Sequence, residues 1–149
     1  MRTVKEIMKI LPYSCKENDS LEFIASYMSI SATKFLPVID ENQKILGTIT
    51  FDTLCDAIKK NNLSEHTLTA AEVMNPRPVF IHSHDDEASA LKKMRIHHLG
   101  QLPVVDDENH LRGIVSFITI ARRLIKLKNS IQLSNHNPAK INRLKLSFN

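Results

Sequence analysis

The chain repeats one pattern of residues at a constant spacing. Residues 35–51 read FLPVIDENQKILGTITF, and 66 positions later residues 101–117 read QLPVVDDENHLRGIVSF. The same offset pairs Thr3 with Thr69 near the start and Thr53 with Thr119 after the strands. The shared residues are of many types and keep strict register, so biased composition does not account for them. Two copies are too few for a solenoid, and we therefore expect two similar units packed on each other.

Length and composition favour a small globular protein with an aliphatic core. The 149 residues suffice for one domain or for two small ones with a shared core. Aromatic residues make up 5% and tryptophan is absent, so aliphatic side chains must fill the interior. No apolar run reaches ~18 residues, and the first residues lack the apolar stretch of a signal peptide. The sequence therefore predicts a cytoplasmic protein with no membrane contact.

The two cysteines can be interpreted through the repeat. Cys15 and Cys55 align with Ile81 and Ala121 of the second copy. Both counterparts are apolar, which favours reduced and mostly buried thiols over a disulfide or a redox switch.

Charge is distributed unevenly along the chain. Residues 1–108 carry 12 Lys and Arg against all 16 acidic residues, whereas residues 109–149 carry 8 Lys and Arg and no acidic residue. A mildly acidic body therefore precedes a basic end. Such an end indicates either an anionic partner or a solvated tail.

Each copy is predicted to contain a short helical turn, a short strand, a helix, two hairpin strands and a second helix. Hydroxyl or carboxylate residues that cap helices, several with glutamate three positions later, mark the helix starts. The predicted starting residues are Thr3, Asp19, Thr69 and Asp85. Gly47 lies within a strand and indicates close backbone approach or a bulge.

The predicted bounds follow the repeat. The first copy has strands at 13–15, 35–40 and 45–50, a helix that starts at about 19 and another over 51–60, with a linker over 61–68. The second copy has strands at 79–82, 101–106 and 111–116, a helix that starts at about 85, and a last helix that ends near residue 128. We expect three units: residues 1–62, residues 63–128 and a basic tail at 129–149, which includes a short helix around 141–146.

This order of elements, with its motifs, resembles the CBS repeat, the regulatory module named after cystathionine β-synthase. The motifs are Pro-Val-hydrophobic-Asp, which occurs in both copies, and then Gly-hydrophobic-hydrophobic-Thr/Ser, which reads GIVS at 113–116 and GTIT at 47–50. The resemblance covers residues ~3–60 and ~69–126. It implies an α+β fold in which two repeats pack as a pseudo-two-fold pair, often called a Bateman module. It also implies clefts that bind AMP, ADP, ATP or S-adenosylmethionine as regulatory ligands, and a homodimer.

The ligand signature of the family departs from its usual form here. The family pattern is Gly-hydrophobic-hydrophobic-Thr/Ser-x-x-Asp, and the hydroxyl positions match at Thr50 and Ser116. The expected aspartate, which in the family accepts hydrogen bonds from the ribose, falls on Thr53 and Thr119. A hydroxyl accepts more weakly than a carboxylate, but it also removes a charge that would repel a phosphate.

Further ligand contacts are implied by the resemblance at strand positions that line the cleft in the family. Thr50 and Ser116 are also suited to cap the following helix, and both roles are compatible. Phe35 could stack on a base or pack in the core, and the two prolines are expected to shape the strand edge. The candidate ligand-binding residues, besides the two hydroxyl pairs, are Ser14, Phe35, Pro37, Phe80, Gln101 and Pro103.

Metal and catalytic sites are not predicted. The closest histidine pairs are His82-x-His84 and His97-His98, their counterparts are mostly polar, and no cysteine joins them at zinc spacing. We expect surface histidines, the second pair near a helix C-terminus. The chain contains no nucleophile elbow, P-loop or dinucleotide fingerprint, so no enzyme activity and no catalytic residue are expected.

The leading hypothesis is a stand-alone sensor that binds an adenosine-containing ligand between its repeats and signals to an unknown protein partner by a shift in conformation. The alternative is an interaction module that binds no nucleotide and docks an acidic partner through its basic end. The basic run of the last helix could be a solvated face, a phosphate clamp or that docking surface. Nucleic acid is not an expected partner, since no recognised reading motif is present. The basic run comprises Arg122, Arg123, Lys126 and Lys128.

Overall fold

The computed structural model describes residues 1–10, 13–61 and 68–136. It is a mixed fold of helices and two small sheets, as predicted. The predicted linker positions 62–67 and the short helix expected around 141–146 lie outside these ranges. The elements in chain order are α1 (Val4–Ile7), β1 (Lys9–Ile10), β2 (Cys15–Lys16), α2 (Leu21–Ser31), β3 (Phe35–Ile39), β4 (Ile45–Thr50), α3 (Phe51–Asn61), α4 (Ala70–Val73), β5 (Ile81–His82), α5 (Glu87–His97), β6 (Gln101–Val105), β7 (Leu111–Ser116) and α6 (Phe117–His136).

Each copy builds its own sheet around a hairpin. The first sheet has the order β2-β3-β4, and the second has the order β1-β7-β6-β5. In both, the hairpin strands are antiparallel and the short strand pairs parallel to the first hairpin strand. The register of each hairpin shifts at the same place, after Val38 and after Val104, so both copies have an irregularity next to the strand glycine.

The short leading segments are exchanged between the copies. Strand β1 pairs with β7 of the second sheet, and Val4 of α1 is fully buried in the second core. In return, Ala70 of α4 is buried in the first core, and Asn75 forms a bridge with Thr48 of β4. Each hydrophobic core is therefore completed by residues from the other copy. The boundaries 1–62, 63–128 and 129–149 follow the sequence repeat and stay a prediction.

Two glycines allow these exchanged segments to approach. A Cβ at Gly47 would lie 2.6 Å from the backbone oxygen of Asn75, and one at Gly113 would lie 2.7 Å from that of Lys9. Real Cβ atoms do not approach oxygen so closely, so a side chain at either position would push the segment away. The close approach predicted at Gly47 is confirmed.

The two hairpin turns contact each other across the pseudo-two-fold axis. The Ile45 N–H donates to the Asn109 carbonyl at 3.2 Å, and the Leu111 N–H donates to the Gln43 carbonyl at 2.9 Å. Gln43 and Asn109 adopt the same left-handed conformation, with φ of 64° and 67°. Hydrogen bonds, as well as the exchanged segments, therefore join the two repeats.

The helices α2 and α5 begin one residue later than predicted. Their N-caps are Ser20, which accepts from the Phe23 N–H at 3.1 Å, and Asp86, which accepts from the Ser89 N–H at 2.8 Å. The predicted caps, Asp19 and Asp85, instead accept backbone N–H bonds from the residue three positions earlier. Two candidate caps stood side by side, and the first of each pair closes the turn before the helix.

The last helix is longer than predicted. α6 continues to His136, whereas the sequence predicted its end near residue 128. No glycine or proline interrupts the chain before Pro138, so nothing in this stretch disfavours helical backbone strongly. The short strands also differ: β2 covers Cys15–Lys16 rather than residues 13–15, and β5 covers Ile81–His82 rather than residues 79–82.

Candidate functional site

The first hydroxyl pair lies where β4 passes into α3. Thr50 ends the strand, and its Oγ1 accepts from the Thr53 N–H at 3.1 Å. The two hydroxyl oxygens are 2.9 Å apart and share a hydrogen bond. Thr50 therefore caps α3, as predicted, and Thr53 occupies the position of the expected aspartate without a charge.

The second hydroxyl pair repeats this geometry between β7 and α6. The Ser116 Oγ accepts from the Thr119 N–H at 3.2 Å, and the two side-chain oxygens are 2.8 Å apart. Each hydroxyl can still take part in at least one more hydrogen bond. The hydroxyl pairs themselves therefore add no charge that would repel an anionic ligand. The first turn of α6 contains no acidic residue, whereas the first turn of α3 contains Asp52.

The strand positions chosen from the sequence lie beside these pairs. Phe35 is the register partner of Thr50, and Gln101 is the register partner of Ser116. Gln101 is half-buried, but Phe35 is only 7% exposed and counts among the core residues. Of the two roles left open for Phe35, burial favours core packing.

The remaining candidates lie deeper or on the preceding segments. Pro37 and Pro103 are buried in the middle of the first hairpin strands, one residue before β2 and β5 begin to pair with these strands. Ser14 and Phe80 directly precede those short strands and are half-buried. The Phe80 carbonyl accepts from the Lys93 ammonium at 2.8 Å.

A cleft of about 390 Å³ opens between the two repeats. We call it the arm cleft, because the amino-terminal segment forms one wall. The C-terminal end of α2 forms the second wall, and β6 and β7 form the third. The described residues that line it are Lys9, Tyr13, Ser31, Ala32, Thr33, Lys34, Gln101 and Ile114. Among the predicted contacts, Gln101 lines this cleft, and its register partner Ser116 adjoins it.

The arm cleft carries an aromatic ring and cationic groups that sequence reasoning did not select. The Lys9 ammonium lies 5.2 Å from the centroid of the Tyr13 ring, a cation–π geometry. Tyr13 is 37% exposed and packs edge-on against Tyr27, with centroids 5.8 Å apart. The ring is thus held in place by Tyr27 while part of it stays exposed. Its place next to Ser14, a predicted contact, was the one sequence signal.

A second cavity, of about 440 Å³, lies between α3 and α4. Thr53 contributes to its wall, together with Asp56 and Lys60 one and two turns further along α3. Glu72 faces them from α4. This cavity has mixed charge, unlike the arm cleft, so the two copies present different surroundings to a ligand.

The histidines do not form a metal centre in the part of the chain that the structure describes, where no three His, Cys, Asp or Glu side chains are grouped to hold an ion. His84 contacts Asp107 at 2.6 Å on the surface. α5 ends at His97, and His98 follows as its left-handed C-cap, so the predicted position near a helix C-terminus is confirmed.

Asp106 organises the second hairpin turn. Burial opposes its charge, but the backbone N–H groups of His110 and Glu108 and the Arg112 guanidinium all donate to the carboxylate. The pKa of Asp106 is therefore held well below its ordinary value. This carboxylate stabilises the turn.

Comparison with known proteins agrees with this architecture. The family model described as the CBS domain matches residues 4–60 and again residues 70–126. The chain therefore belongs to the CBS domain family and contains two of its repeats. The resemblance recognised in the sequence is confirmed, and so is the fold that it implied.

Individual relatives are identical to this chain at about a quarter of the aligned residues. L-aspartate semialdehyde sulfurtransferase of Methanocaldococcus jannaschii is 28% identical over 119 residues, which are 80% of this chain and 22% of that protein. The structure of the CBS domain pair of protein MJ0100, in complex with 5′-methylthioadenosine and S-adenosyl-L-methionine, is 27% identical with a TM-score of 0.74, over 83% of this chain and 96% of that one. A putative acetoin utilization protein from Vibrio cholerae is 26% identical with a TM-score of 0.77, over 87% and 98%.

The chain thus spans about a fifth of the length of the curated relative it matches. No helix among the described ranges is both long and apolar enough to cross a bilayer. The cytoplasmic location stays a prediction.

Proposed function

We propose that this CBS pair is a regulatory module that binds an adenosine-containing ligand in the arm cleft. The observation that carries the proposal is the composition of the cleft walls, which come from both repeats and from the exchanged amino-terminal segment. A volume of about 390 Å³ lies within the range of small-molecule sites. A solved relative of 27% identity binds 5′-methylthioadenosine and S-adenosyl-L-methionine, which supports an adenosyl ligand here.

The parts of such a ligand match the groups on the walls. The exposed part of the Tyr13 ring can contact the adenine ring. Ser116 and Thr119 lie at the start of α6, beside the position of Gln101, and can hydrogen-bond the ribose. They replace the carboxylate that the family uses, so this bond is weaker than in relatives that keep the aspartate.

Binding in this position would alter how the repeats sit on each other. The ligand touches β1, which pairs with the second sheet, and the end of α2, which belongs to the first repeat. A ligand that fits one relative arrangement better than another shifts the population toward it. The chain would therefore regulate a partner and would not catalyse a reaction itself.

The partner and the predicted homodimer belong to this proposal. Phe51 and Phe117 occupy equivalent positions at the starts of α3 and α6 and are 47% and 48% exposed. Paired exposed rings of this kind favour association through these helices. Sedimentation equilibrium would detect the dimer directly.

The second candidate function, a docking module for an acidic partner, has support from α6. This helix extends ten residues beyond the second family match, and Arg122, Lys126 and Lys128 are exposed on it. A helix with exposed basic side chains suits electrostatic docking. This role could coexist with ligand binding.

The experiment is calorimetric titration of 5′-methylthioadenosine, S-adenosylmethionine, AMP, ADP and ATP into the purified full chain. Ser116→Ala is expected to weaken binding about fivefold to tenfold, since it removes one hydrogen bond to the ligand. It also removes a helix cap, so the matched control is Ser20→Ala, which removes the N-cap of α2 at the end of that helix opposite the cleft. Absence of heat with every ligand, in folded protein freed of bound nucleotide, would refute the proposal and favour the docking module.

A further inference from the structure

The arm cleft is cationic, and this charge comes from one half of the molecule only. Lys9 contributes from β1, and Lys34 contributes from the turn after α2. The positions equivalent by the repeat are Asn75 and Gly100, neither of which is charged. The charge is therefore a property of this cleft and not a general consequence of the pseudo-symmetry.

No carboxylate offsets these lysines among the described residues that line the arm cleft. The start of α6 next to it bears no acidic residue in its first turn, and Thr119 stands where the family places an aspartate. An uncompensated cationic wall attracts anionic groups and repels cationic ones. The other cavity differs, because Asp56 and Glu72 line it together with Lys60.

We infer that the arm cleft selects phosphorylated adenosine nucleotides over adenosyl ligands that are neutral or carry a sulfonium cation. The inference rests on the proposed adenosyl function and specifies its ligand class. The adenine stacks on the Tyr13 ring, the ribose bonds the Ser116 and Thr119 hydroxyls, and the phosphates lie within reach of the Lys9 and Lys34 ammonium groups. This ligand class also explains why threonine replaces the aspartate, since a carboxylate beside the ribose would repel the phosphates.

Ligand charge sets the expected order of affinity. AMP carries close to two negative charges at pH 7.5 and ATP carries more, whereas 5′-methylthioadenosine is neutral and S-adenosylmethionine has a net positive charge. Two lysine contacts, each worth about threefold to fivefold at an exposed site, favour AMP over 5′-methylthioadenosine by about tenfold or more. S-adenosylmethionine should bind most weakly, because its sulfonium approaches two ammonium groups.

The test is competition calorimetry on the full chain with AMP, ATP, 5′-methylthioadenosine and S-adenosylmethionine, at two salt concentrations. Lys9→Gln and Lys34→Gln should each weaken AMP binding about threefold to fivefold and leave 5′-methylthioadenosine within twofold. Lys92→Gln makes the same charge change on the exposed surface of α5, outside the arm cleft, and should leave all affinities unchanged. Raised salt should weaken AMP more than 5′-methylthioadenosine.

The outcomes distinguish the inferred phosphate selectivity from the proposed adenosyl function. Preference for 5′-methylthioadenosine or S-adenosylmethionine, with no effect of either cleft lysine, overturns the phosphate inference and leaves the adenosyl sensor standing. Equal losses in Lys92→Gln and the cleft variants also overturn it, since net charge alone would then explain the effect. Failure of every adenosyl compound to bind overturns both. Thermal melting of each variant checks that the protein stays folded after an exposed lysine is replaced.

Discussion

Replacing Arg123 by alanine is expected to lower the free energy of unfolding by about 3 kcal/mol, because it strands a buried carboxylate. Glu87 is 2% exposed and begins α5. The Arg123 guanidinium of α6 meets it with two bonds, Nε to Oε2 at 3.0 Å and Nη2 to Oε1. Without the guanidinium, the Glu87 carboxylate is shielded from water and has no ion pair to compensate for its lost hydration.

The two halves of the pair should not cost the same. The Arg123 side chain is 21% exposed, against 3% for Glu87, so the arginine can turn toward water when its partner is removed. We therefore expect Glu87→Leu to cost about 1 kcal/mol, well below the cost of Arg123→Ala.

The repeat supplies the matched control. The positions equivalent to Glu87 and Arg123 in the first copy are Leu21 and Ala57, which pack without any charge. The double variant Glu87→Leu/Arg123→Ala reproduces that apolar arrangement in the second copy. It should restore stability to within about 1 kcal/mol of the unchanged protein, because an apolar pair can replace a buried ion pair at little cost.

Urea unfolding followed by circular dichroism measures these differences through the midpoint and the slope. For a chain of this length, about 3 kcal/mol also lowers the melting temperature by roughly 6–12 °C. A double variant as unstable as Arg123→Ala alone would refute the reasoning, since the loss would then come from packing and not from the stranded charge.

Three further predictions follow from close contacts and charge. Gly47→Ala should lower the free energy of unfolding in urea by about 2 kcal/mol, since its Cβ would lie 2.6 Å from a backbone oxygen. The control Gly100→Ala, whose Cβ would point into open space, should change that free energy by no more than about 0.5 kcal/mol. Equal effects of the two variants would contradict the exchanged packing. Burial and a nearby carboxylate raise the pKa of Cys15 to about 12. A disulfide reagent at pH 8 should therefore modify the half-buried Cys55 first and react with Cys15 only when the protein unfolds. Peptide mapping that finds the reverse order would contradict this prediction. Thr119→Asp should tighten 5′-methylthioadenosine about tenfold by adding a charged acceptor, but tighten AMP less because of phosphate repulsion. Calorimetry that finds no gain for 5′-methylthioadenosine would exclude the proposed ribose contact, and equal gains for both ligands would contradict the proposed place of the phosphate.

Patterns local to the chain predicted most of the fold. Two short apolar runs joined by a polar turn, at residues 35–50 and again at 101–116, indicated the hairpins, because short apolar segments bounded by turn residues are typical of strands. The hydroxyls at Thr50 and Ser116 were predicted as helix caps and are caps. The N-caps of α2 and α5 were wrong by one residue, since adjacent capping residues compete for the same helix start.

The candidate site was predicted less completely. Residues 35 and 101 were chosen from the family resemblance, and the structure makes them the register partners of Thr50 and Ser116. Their contact with a ligand stays a prediction. Lys9 and Lys34 were missed, although both line the arm cleft. They lie 25 residues apart in the chain and, taken alone, read as ordinary surface lysines.

The sequence by itself determined the two repeats, their hairpins and the missing carboxylates at Thr53 and Thr119, since these depend on residue identity and on periodicity along the chain. Tertiary structure alone decided that the leading segments cross over, so that Val4 fills the second core and Ala70 the first. That exchange brings the amino-terminal segment to the second sheet and creates the arm cleft. The physical reason for the exchange is that each leading segment buries its apolar surface on the sheet of the other repeat. The two sheets are similar, so no local pattern in the sequence indicates which sheet a segment joins.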